Sequence, residues 1–266
     1  MISAMILYKY YSAGNGLKAI ESRRLGFRSP EYFNDPFELT ALSNGDGPGS
    51  KLDLLRQQVH QLKEHVVVLS LTRNPKNPLM WAHYGCEHTG IVVGYDVSDV
   101  FLTSQEHNLI PVDSGDVIYT HTKSPFKMTP ETMAALRRTY QWSLGLGETP
   151  SYEQQAIARR LFLTKHASWV YEEEVRAVKI TFSYSEEVAV FQSDSLRMLE
   201  IDETLPEGLH LYSHQVPIRE IYLGARNTSL DDSAMRQKLK AVGCPVHKLQ
   251  VDDTSWQLTA DEVQHW

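Results

Sequence analysis

Two glutamates and an arginine alternate in the segment 168–178, SWVYEEEVRAV, which otherwise has the residue types of a β-strand. Side chains alternate between the faces of a strand, so Glu172, Glu174 and Arg176 should share one face at a spacing of about 7 Å. Glutamate is depleted in strands, and neighbouring like charges cost free energy. The segment is therefore either a solvated strand with an ion pair, or it places carboxylates that stabilise a cationic transition state.

A second unusual segment, residues 80–90, reads MWAHYGCEHTG and combines histidines with large aromatic side chains. His83, Cys86 and His88 suggest a metal site, but their spacing matches no standard zinc motif, so we predict no metal. Aromatic and histidine side chains before a buried strand more readily form a flat ligand-binding wall. Ordinary core packing with a hydrogen-bonded histidine is the remaining interpretation.

Composition and charge restrict the class of protein. The chain of 266 residues is 42% hydrophobic and 22% charged, as in ordinary globular proteins. Its net charge of −7 argues against a DNA-coating protein, although Arg137-Arg138, Arg159-Arg160 and Lys165 offer a local basic patch. Two distant cysteines and the absence of a signal peptide or long apolar run predict a cytoplasmic protein without membrane contact. No Walker loop, Rossmann fingerprint, G-x-S-x-G or H-E-x-x-H motif is present.

Hydrophobic periodicity predicts strands mixed irregularly with helices, which favours an α+β fold over a doubly wound sheet. Strands are expected at residues 5–12, 66–72, 91–97, 116–120, 170–182, 187–191, 216–224 and, as the last, 245–252. Helices are expected at residues 16–25 (with Gly26 as the stop), 51–65, 129–165 and 229–243. No repeat, low-complexity tract or linker is found, so we predict one domain over residues 1–266.

The motifs LYKYYS, FNDPFE, VLSLT, MWAHYG, WVYEEEVRAV and VPIREIYLG, in this order, resemble the DUF2971 family from about Leu7 to Gly224. That family is similar to the ADP-ribosyltransferase superfamily, especially to DarT-like toxins that modify nucleic-acid bases. The resemblance implies an ADP-ribosyltransferase-like split antiparallel β core with peripheral helices, and NAD as co-substrate. It further implies a toxin or anti-phage effector, with a nucleic acid as acceptor, a protein acceptor as second choice, and an antitoxin or regulatory partner.

The resemblance also implies roles for individual residues. Glu174 matches the second glutamate of the superfamily's E-x-E pattern and would stabilise the positive charge on the ribose, while Glu172 would be a general base. Arg176 would pair with one of them. The implied NAD contacts are Lys9 (where a histidine commonly stands), Tyr10, Asn34, Asp35, Ser70, Thr72, Trp81, His83 and Tyr84. Among these, Tyr84 or Trp81 would stack on nicotinamide, and Ser70 would hydrogen-bond to Glu174.

Two alternatives from other classes stay open. The first is a non-catalytic module whose aromatic pocket binds a nucleotide or a partner protein. The second is a metal-dependent nuclease or hydrolase built on His83, His88 and acidic residues.

Overall fold

The computed structural model describes residues 5–39, 57, 59–105, 108–123, 129–143, 151–181, 199–200 and 205–264. In these residues, helices surround a mostly antiparallel sheet, which confirms the predicted α+β class. The strand expected at residues 187–191 lies outside the described residues, as does most of the first half of the helix expected at 51–65.

The described strands belong to one large sheet and one two-stranded sheet. They are β1 (Ile6–Tyr11), β2 (Gly26–Arg28), β3 (Val66–Thr72), β4 (Ile91–Asp96), β5 (Ile118–Thr120), β6 (Thr164–His166), β7 (Glu174–Ile180), β8 (Leu199–Glu200), β9 (Leu209–Tyr212), β10 (Ile218–Leu223), β11 (Val246–Val251) and β12 (Leu258–Glu262). The large sheet has the order β12-β11-β10-β4-β1-β3-β2-β9-β8, and β7 also pairs with β3. Among the described strands of this sheet, only β10 and β11 run parallel, whereas β5 and β6 form a separate parallel pair.

Strand β3 is the branching point of the large sheet. It pairs with β7 along its whole length, from Val66 opposite Ile180 to Thr72 opposite Glu174. Strand β7 occupies one edge of β3. Strands β1 and β2 therefore both pair with the other edge, β1 at Thr72 and β2 at Val68. The continuous apolar sequence VVVLSLT explains this central position, since a strand covered on both faces needs apolar side chains on both.

The described helices are short and begin at good capping residues. They are α1 (Ala13–Ser22), α2 (Pro78–His83), α3 (Val100–Thr103), α4 (Pro130–Ser143), α5 (Tyr152–Phe162) and α6 (Ser233–Ala241), with 3₁₀ turns at Pro30–Tyr32, Val112–Ser114 and Ala167–Glu172. Residues 59–64 are also helical. Ser12, Asn77 and Asp232 accept backbone hydrogen bonds as the N-caps of α1, α2 and α6. No helix among the residues described is long and apolar enough to cross a membrane.

Alternating side chains of β3 and β7 separate two apolar clusters. Val67, Leu69 and Leu71 contribute to the cluster that also contains α1 and β4 side chains. Val66 and Val68 point to the other face, which packs against side chains of α4 and α5. The same face therefore continues to positions 70 and 72 of β3, where the side chains are polar.

The strand predicted from residue 170 begins only at Glu174. Residues Ala167–Glu172 form a 3₁₀ turn, and Glu173 adopts the left-handed conformation with φ of 43°. The turn begins with the Nδ1 atom of His166 accepting a hydrogen bond from the backbone N–H of Ser168. The predicted alternation of faces is thus wrong for residues 169–173, because the chain folds back before entering β7.

Three further predictions of element boundaries were wrong. Helix α1 ends at Ser22, before the left-handed Arg23, and Gly26 lies in β2 instead of stopping the helix. The strand expected to be the last, β11, is followed by β12. Lys165 is neither helical nor part of a surface patch, because it lies in β6 and its side chain is buried.

Gly115 provides a test of how tightly β7 is packed. The Gly115 carbonyl accepts a hydrogen bond from the Arg176 N–H, and a Cβ at Gly115 would lie 1.8 Å from the Arg176 carbonyl oxygen. We expect Gly115→Ala to lower the free energy of unfolding by about 1–3 kcal/mol, because β7 must shift. Gly14→Ala is the matched control, since a Cβ there has no neighbour within 4 Å and alanine favours the helix. Urea unfolding measures both, and equal stability of the two variants would contradict the packing.

Candidate functional site

The polar end of the β3–β7 face forms the wall of the candidate site. Ser70 lies opposite Arg176 and Thr72 lies opposite Glu174, so the four side chains share one face. At the other end of the same face, the pairs Val66–Ile180 and Val68–Val178 are apolar. A single pair of strands therefore carries the core at one end and charged groups at the other.

Lys165 is the centre of a buried cluster of charged side chains. Its Nζ atom lies 2.5 Å from Glu172 Oε2, 3.2 Å from Glu174 Oε2 and 3.2 Å from Glu38 Oε1. Lys165 lies in strand β6, Glu172 lies in the 3₁₀ turn, Glu174 lies in β7, and Glu38 lies in the turn that follows Asp35. Glu172 and Glu174 follow Lys165 by 7 and 9 residues, whereas Glu38 comes from a distant part of the chain.

Arg176 is the second cation of the cluster and is only 1% exposed. Its Nε and Nη2 atoms donate to the two oxygens of Glu174 at 2.7 and 3.0 Å, and its Nη1 donates to the Phe162 carbonyl at 2.7 Å. Nη2 also lies 2.6 Å from Glu38 Oε2. This two-point contact holds the Glu174 carboxylate in one orientation beside the Arg176 guanidinium group.

The buried charges of this cluster do not cancel. Three carboxylates (Glu38, Glu172, Glu174) and two cations (Lys165, Arg176) leave one net negative charge when all are ionised, because −3 + 2 = −1. All five residues are buried. The cluster therefore favours a positive charge in its neighbourhood, and the buried ammonium group of Lys9, which interacts with Glu174, supplies one.

The two central glutamates have pKa values shifted in opposite directions. Burial raises the pKa of Glu172, the charge of Glu174 adds to this rise, and Lys165 opposes it. For Glu174, burial also favours the neutral form, but Arg176 and Lys165 outweigh it and lower the pKa to about 2. A hydrogen bond with the Ser70 side chain contributes to the low value. Glu174 is therefore ionised at neutral pH, whereas Glu172 takes up a proton more readily.

A cavity of about 180 Å³ opens beside this cluster. It is lined by Tyr8, Lys9, Tyr10, Phe33, Asn34, Glu38, Ser70, Leu71, Thr72, Met80, Tyr84, Lys165, Glu172, Glu174 and Arg176. Tyr84 donates a hydrogen bond of 2.6 Å from its hydroxyl to Glu172 Oε1. Lys9 donates from Nζ to the Ser70 carbonyl at 3.1 Å, and burial lowers the pKa of Lys9 to about 8 against the effect of Glu174.

Most site residues predicted from the sequence line this cavity. The structure brings together Glu172, Glu174, Arg176, Lys9, Tyr10, Asn34, Ser70, Thr72 and Tyr84. Although residues 169–173 are not extended, the 3₁₀ turn returns Glu172 to the side of Glu174, where both contact Lys165.

Three predicted contact residues do not line the cavity. Trp81 is 0% exposed, packs edge-on against Tyr10 and donates from Nε1 to the Pro75 carbonyl, so it is a core side chain and cannot stack on a ligand. Asp35 is buried and its Oδ1 accepts from the Phe37 N–H. His83 is exposed outside the cavity, near Tyr84 and Tyr171.

The sequence analysis missed Lys165 and Glu38 as site residues. Lys165 was assigned to a surface patch, and the signal against that assignment is the apolar sequence LFLTKHASW around it. Glu38 belongs to the FNDPFE motif, but an acidic residue in a turn carries no signal for burial. Among the described residues, no three His, Cys, Asp or Glu side chains are grouped as metal ligands.

A comparison with protein families matches residues 80–177 to the family described as "Protein of unknown function (DUF2971)". The match confirms the predicted resemblance to this family over that segment, which contains Tyr84, Lys165, Glu172, Glu174 and Arg176. Neither a curated protein nor a solved structure matches the chain.

Removing the central cation tests whether the cluster holds the site together. We expect Lys165→Met to lower the free energy of unfolding by about 3–5 kcal/mol, because it leaves three buried carboxylates with one cation. Lys238→Met is the matched control, because Lys238 pairs with Glu21 at the surface and the loss there should be below about 1 kcal/mol. Equal losses in the two variants, measured by urea unfolding, would contradict the cluster's role.

The low pKa of Glu174 predicts a specific loss of stability in acid. A carboxylate with a pKa of about 2 in the folded state and 4.5 unfolded stabilises the fold above pH 4.5, and this contribution disappears as the pH falls towards 2. The raised pKa of Glu172 acts in the opposite direction, so Glu174→Gln is needed to isolate the contribution. Between pH 4.5 and pH 2, the wild-type chain should lose more stability than this variant. Parallel pH profiles of unfolding would refute the assignment.

Proposed function

We propose that the chain is an NAD-dependent ADP-ribosyltransferase that modifies a nucleic-acid base. The observation that carries the proposal is the pair Glu172 and Glu174 at the wall of one cavity, with pKa values shifted apart. Environments that separate the pKa values of neighbouring carboxyl groups are typical of sites in which one group stays ionised and the other exchanges protons.

The proposed reaction breaks the bond between the ribose C1′ and the nicotinamide nitrogen. Nicotinamide leaves with the electron pair and becomes neutral, while positive charge develops on C1′ and the ring oxygen. Glu174 remains ionised during this step, and its carboxylate stabilises the developing cation. Arg176 and Ser70 hold the Glu174 carboxylate in one orientation.

The second half of the reaction needs a base. A nucleophilic nitrogen or oxygen of the acceptor forms the new bond to C1′, and its proton passes to the Glu172 carboxylate. Glu172 is suited to this role because its pKa is raised and because its described partners are Lys165 and Tyr84 alone. A carboxylate has room for about four hydrogen bonds, so positions stay open for the acceptor.

The cavity accommodates only part of NAD. Its 180 Å³ is below the roughly 300–1,000 Å³ of sites that enclose a whole ligand, so the nicotinamide end enters and the rest lies outside. In this arrangement Tyr84 contacts the nicotinamide ring, replacing the buried Trp81, and Lys9 offers its ammonium group to the nicotinamide amide. The ring of Phe33 on the cavity wall adds a second apolar surface.

The branched sheet is compatible with the split core of the ADP-ribosyltransferase fold. Strands β1 and β2 share one edge of β3, and the cavity is lined by residues of β1, β3 and β7. We therefore extend the proposal to this fold, and, through the resemblance, to a cytoplasmic toxin or anti-phage effector that an antitoxin or regulatory partner restrains.

A second candidate function is a non-catalytic module that binds a nucleotide or a partner protein. The observation that favours it is the engagement of both Glu174 oxygens by Arg176 and of one by Lys165, which is also how a purely structural ion-pair network is built. Such a module would bind NAD without releasing nicotinamide. The metal-dependent nuclease has no grouped ligand set in the described part of the chain.

The two glutamates can be tested one at a time by nicotinamide release. We expect Glu174→Gln to reduce the rate by about 10²-fold or more, because the amide keeps the shape but removes the negative charge. Glu172→Gln should leave slow NAD hydrolysis but reduce transfer to an acceptor, because it removes only the base. Release is measured by chromatography and transfer with labelled NAD.

Glu173→Gln is the matched control, because this neighbouring glutamate is exposed and does not line the cavity. It should keep the wild-type rate. Nicotinamide release at the wild-type rate by Glu174→Gln would contradict the proposal, and binding of NAD without any release by the wild-type chain would favour the binding module.

A further inference from the structure

Glu220 of β10 accepts hydrogen bonds from two tyrosine hydroxyls, one of which belongs to a residue of the cavity wall. The Tyr8 hydroxyl donates to Glu220 Oε1 at 2.5 Å, and the Tyr222 hydroxyl donates to Glu220 Oε2 at 3.0 Å. The side chain of Glu220 is 20% exposed and does not line the cavity, whereas Tyr8 does. Tyr8 therefore connects this carboxylate to the candidate site.

The contact between Tyr8 and Glu220 crosses strand β4 at a glycine. Gly94 of β4 pairs with Tyr8 of β1 on one side and with Glu220 of β10 on the other. A Cβ at Gly94 would lie 2.9 Å from Glu220 Cγ and 3.0 Å from Tyr8 Cε1, so the glycine leaves the room in which the two side chains meet. The register of β10 against β4 also shifts between Ile218 and Glu220, and irregularities of this kind redirect side chains.

Tyr8 lies at the junction of β1 and β3, and its ring is held by further contacts. It pairs with Thr72 of β3, and both residues line the cavity. The Tyr8 ring packs edge-on against Tyr222 with centroids 6.0 Å apart, and the Tyr222 ring stacks on His247 with centroids 4.7 Å apart. The ring and the hydroxyl of Tyr8 are thus both restrained from the side of β10.

The two tyrosines stay protonated at neutral pH and so remain hydrogen-bond donors. Burial raises the pKa of Tyr8, and the hydrogen bond and charge of Glu220 add to this rise. Burial and Glu220 raise the pKa of Tyr222 in the same way. Hydrogen bonds to an ionised acceptor are stronger than those between neutral groups. Glu220 therefore restrains Tyr8 more firmly than a neutral partner would.

We propose that Glu220 is a positioning residue for NAD, which holds the Tyr8 ring in the orientation that contacts the part of NAD in the cavity. The inference rests on the proposed function and adds a determinant of NAD affinity two strands away from β1. Polar networks whose members are all satisfied specify one arrangement of their side chains.

The loss of Glu220 should affect binding and leave the chemical step unchanged. Without its acceptor, the Tyr8 side chain gains conformational freedom, and NAD binding must then order it at a cost in affinity. Glu172 and Glu174 are untouched by this change, because neither contacts Tyr8 or Glu220 among the described hydrogen bonds and ion pairs. A change that weakens binding of the ground state and of the transition state equally leaves kcat unaltered.

The test measures the Kd for NAD by isothermal titration and the kcat of nicotinamide release at saturating NAD, both with the full chain. Glu220→Leu removes the acceptor, whereas Glu220→Gln keeps an oxygen that accepts from Tyr8. Tyr8→Phe keeps the ring and removes the hydroxyl. Arg219→Met is the control, because the neighbouring Arg219 is half exposed, pairs with Asp96 and does not line the cavity.

We expect Glu220→Leu to raise the Kd for NAD about tenfold, the effect of one lost hydrogen bond to a charged group, and to leave kcat unchanged. Tyr8→Phe should have the same effect. The double variant should lose no more affinity than either single variant, because both substitutions remove the same contact. Glu220→Gln and Arg219→Met should bind NAD like the wild type. Matching thermal unfolding of the variants ensures that the fold is intact.

Three results would overturn the inference. They are a wild-type Kd in Glu220→Leu, additive losses of affinity in the double variant, and a Kd in Glu220→Gln as high as that in Glu220→Leu. A fall in kcat without a change in Kd would also contradict it, because Glu220 would then act on the chemical step.

The outcome is separable from that of the proposed function. Nicotinamide release by the wild-type chain, with an unchanged Kd in Glu220→Leu, would reject the positioning role and keep the transferase. NAD binding that depends on Glu220, without release by the wild-type chain, would keep the positioning role and reject the transferase. No binding of NAD by the wild-type chain would reject both.

Discussion

The ammonium group of Lys165 lies within 3.2 Å of three carboxylates, and the arrangement of the site depends on this interaction. Strand β6, the 3₁₀ turn of Glu172 and strand β7 follow one another directly in the chain, and the Val117 N–H donates to the Glu174 carbonyl while the Ile118 N–H donates to the Leu163 carbonyl. The turn that contains Glu38 comes from a distant part of the chain, and its buried ion pairs with Lys165 and Arg176 connect it to this segment. Unpaired charges in a buried position are so costly that this turn packs where it meets those partners.

The cluster also explains why the two glutamates differ. Glu174 receives both arms of the Arg176 fork, so its negative charge is retained despite burial. Glu172 has Lys165 and the weaker Tyr84 hydroxyl as partners, and it experiences the charge of Glu174. Burial alone would raise both pKa values, and the position of a single arginine separates them. The two glutamate side chains thus differ in pKa because Arg176 pairs with Glu174.

The sequence predicted the fold class and much of the site because these depend on local patterns. The run VVVLSLT specified a central strand, and the spacing of Glu174 and Arg176 placed both on one strand face at the cavity, whereas Glu172 reaches the same cavity through the 3₁₀ turn. The sequence could not predict the 3₁₀ turn before β7, because a left-handed residue such as Glu173 leaves no pattern in side-chain polarity. It missed Lys165 and Glu38 for a related reason, because the type of a charged residue does not show whether its side chain is buried with partners or exposed to solvent. Trp81 was predicted to contact the ligand because the sequence does not distinguish an aromatic residue in the core from one in the wall of a binding site.

The most direct test of the account is transfer of label from NAD. The wild-type chain and Glu174→Gln are incubated in parallel with NAD labelled on its ADP-ribose part and with separate pools of RNA, single-stranded DNA and cell protein. The account predicts label on a nucleic-acid pool with the wild-type chain and at least about 10²-fold less with the variant. Absence of label from every pool, together with no release of nicotinamide, would contradict it, and the charged cluster would then be a structural feature beside a binding pocket.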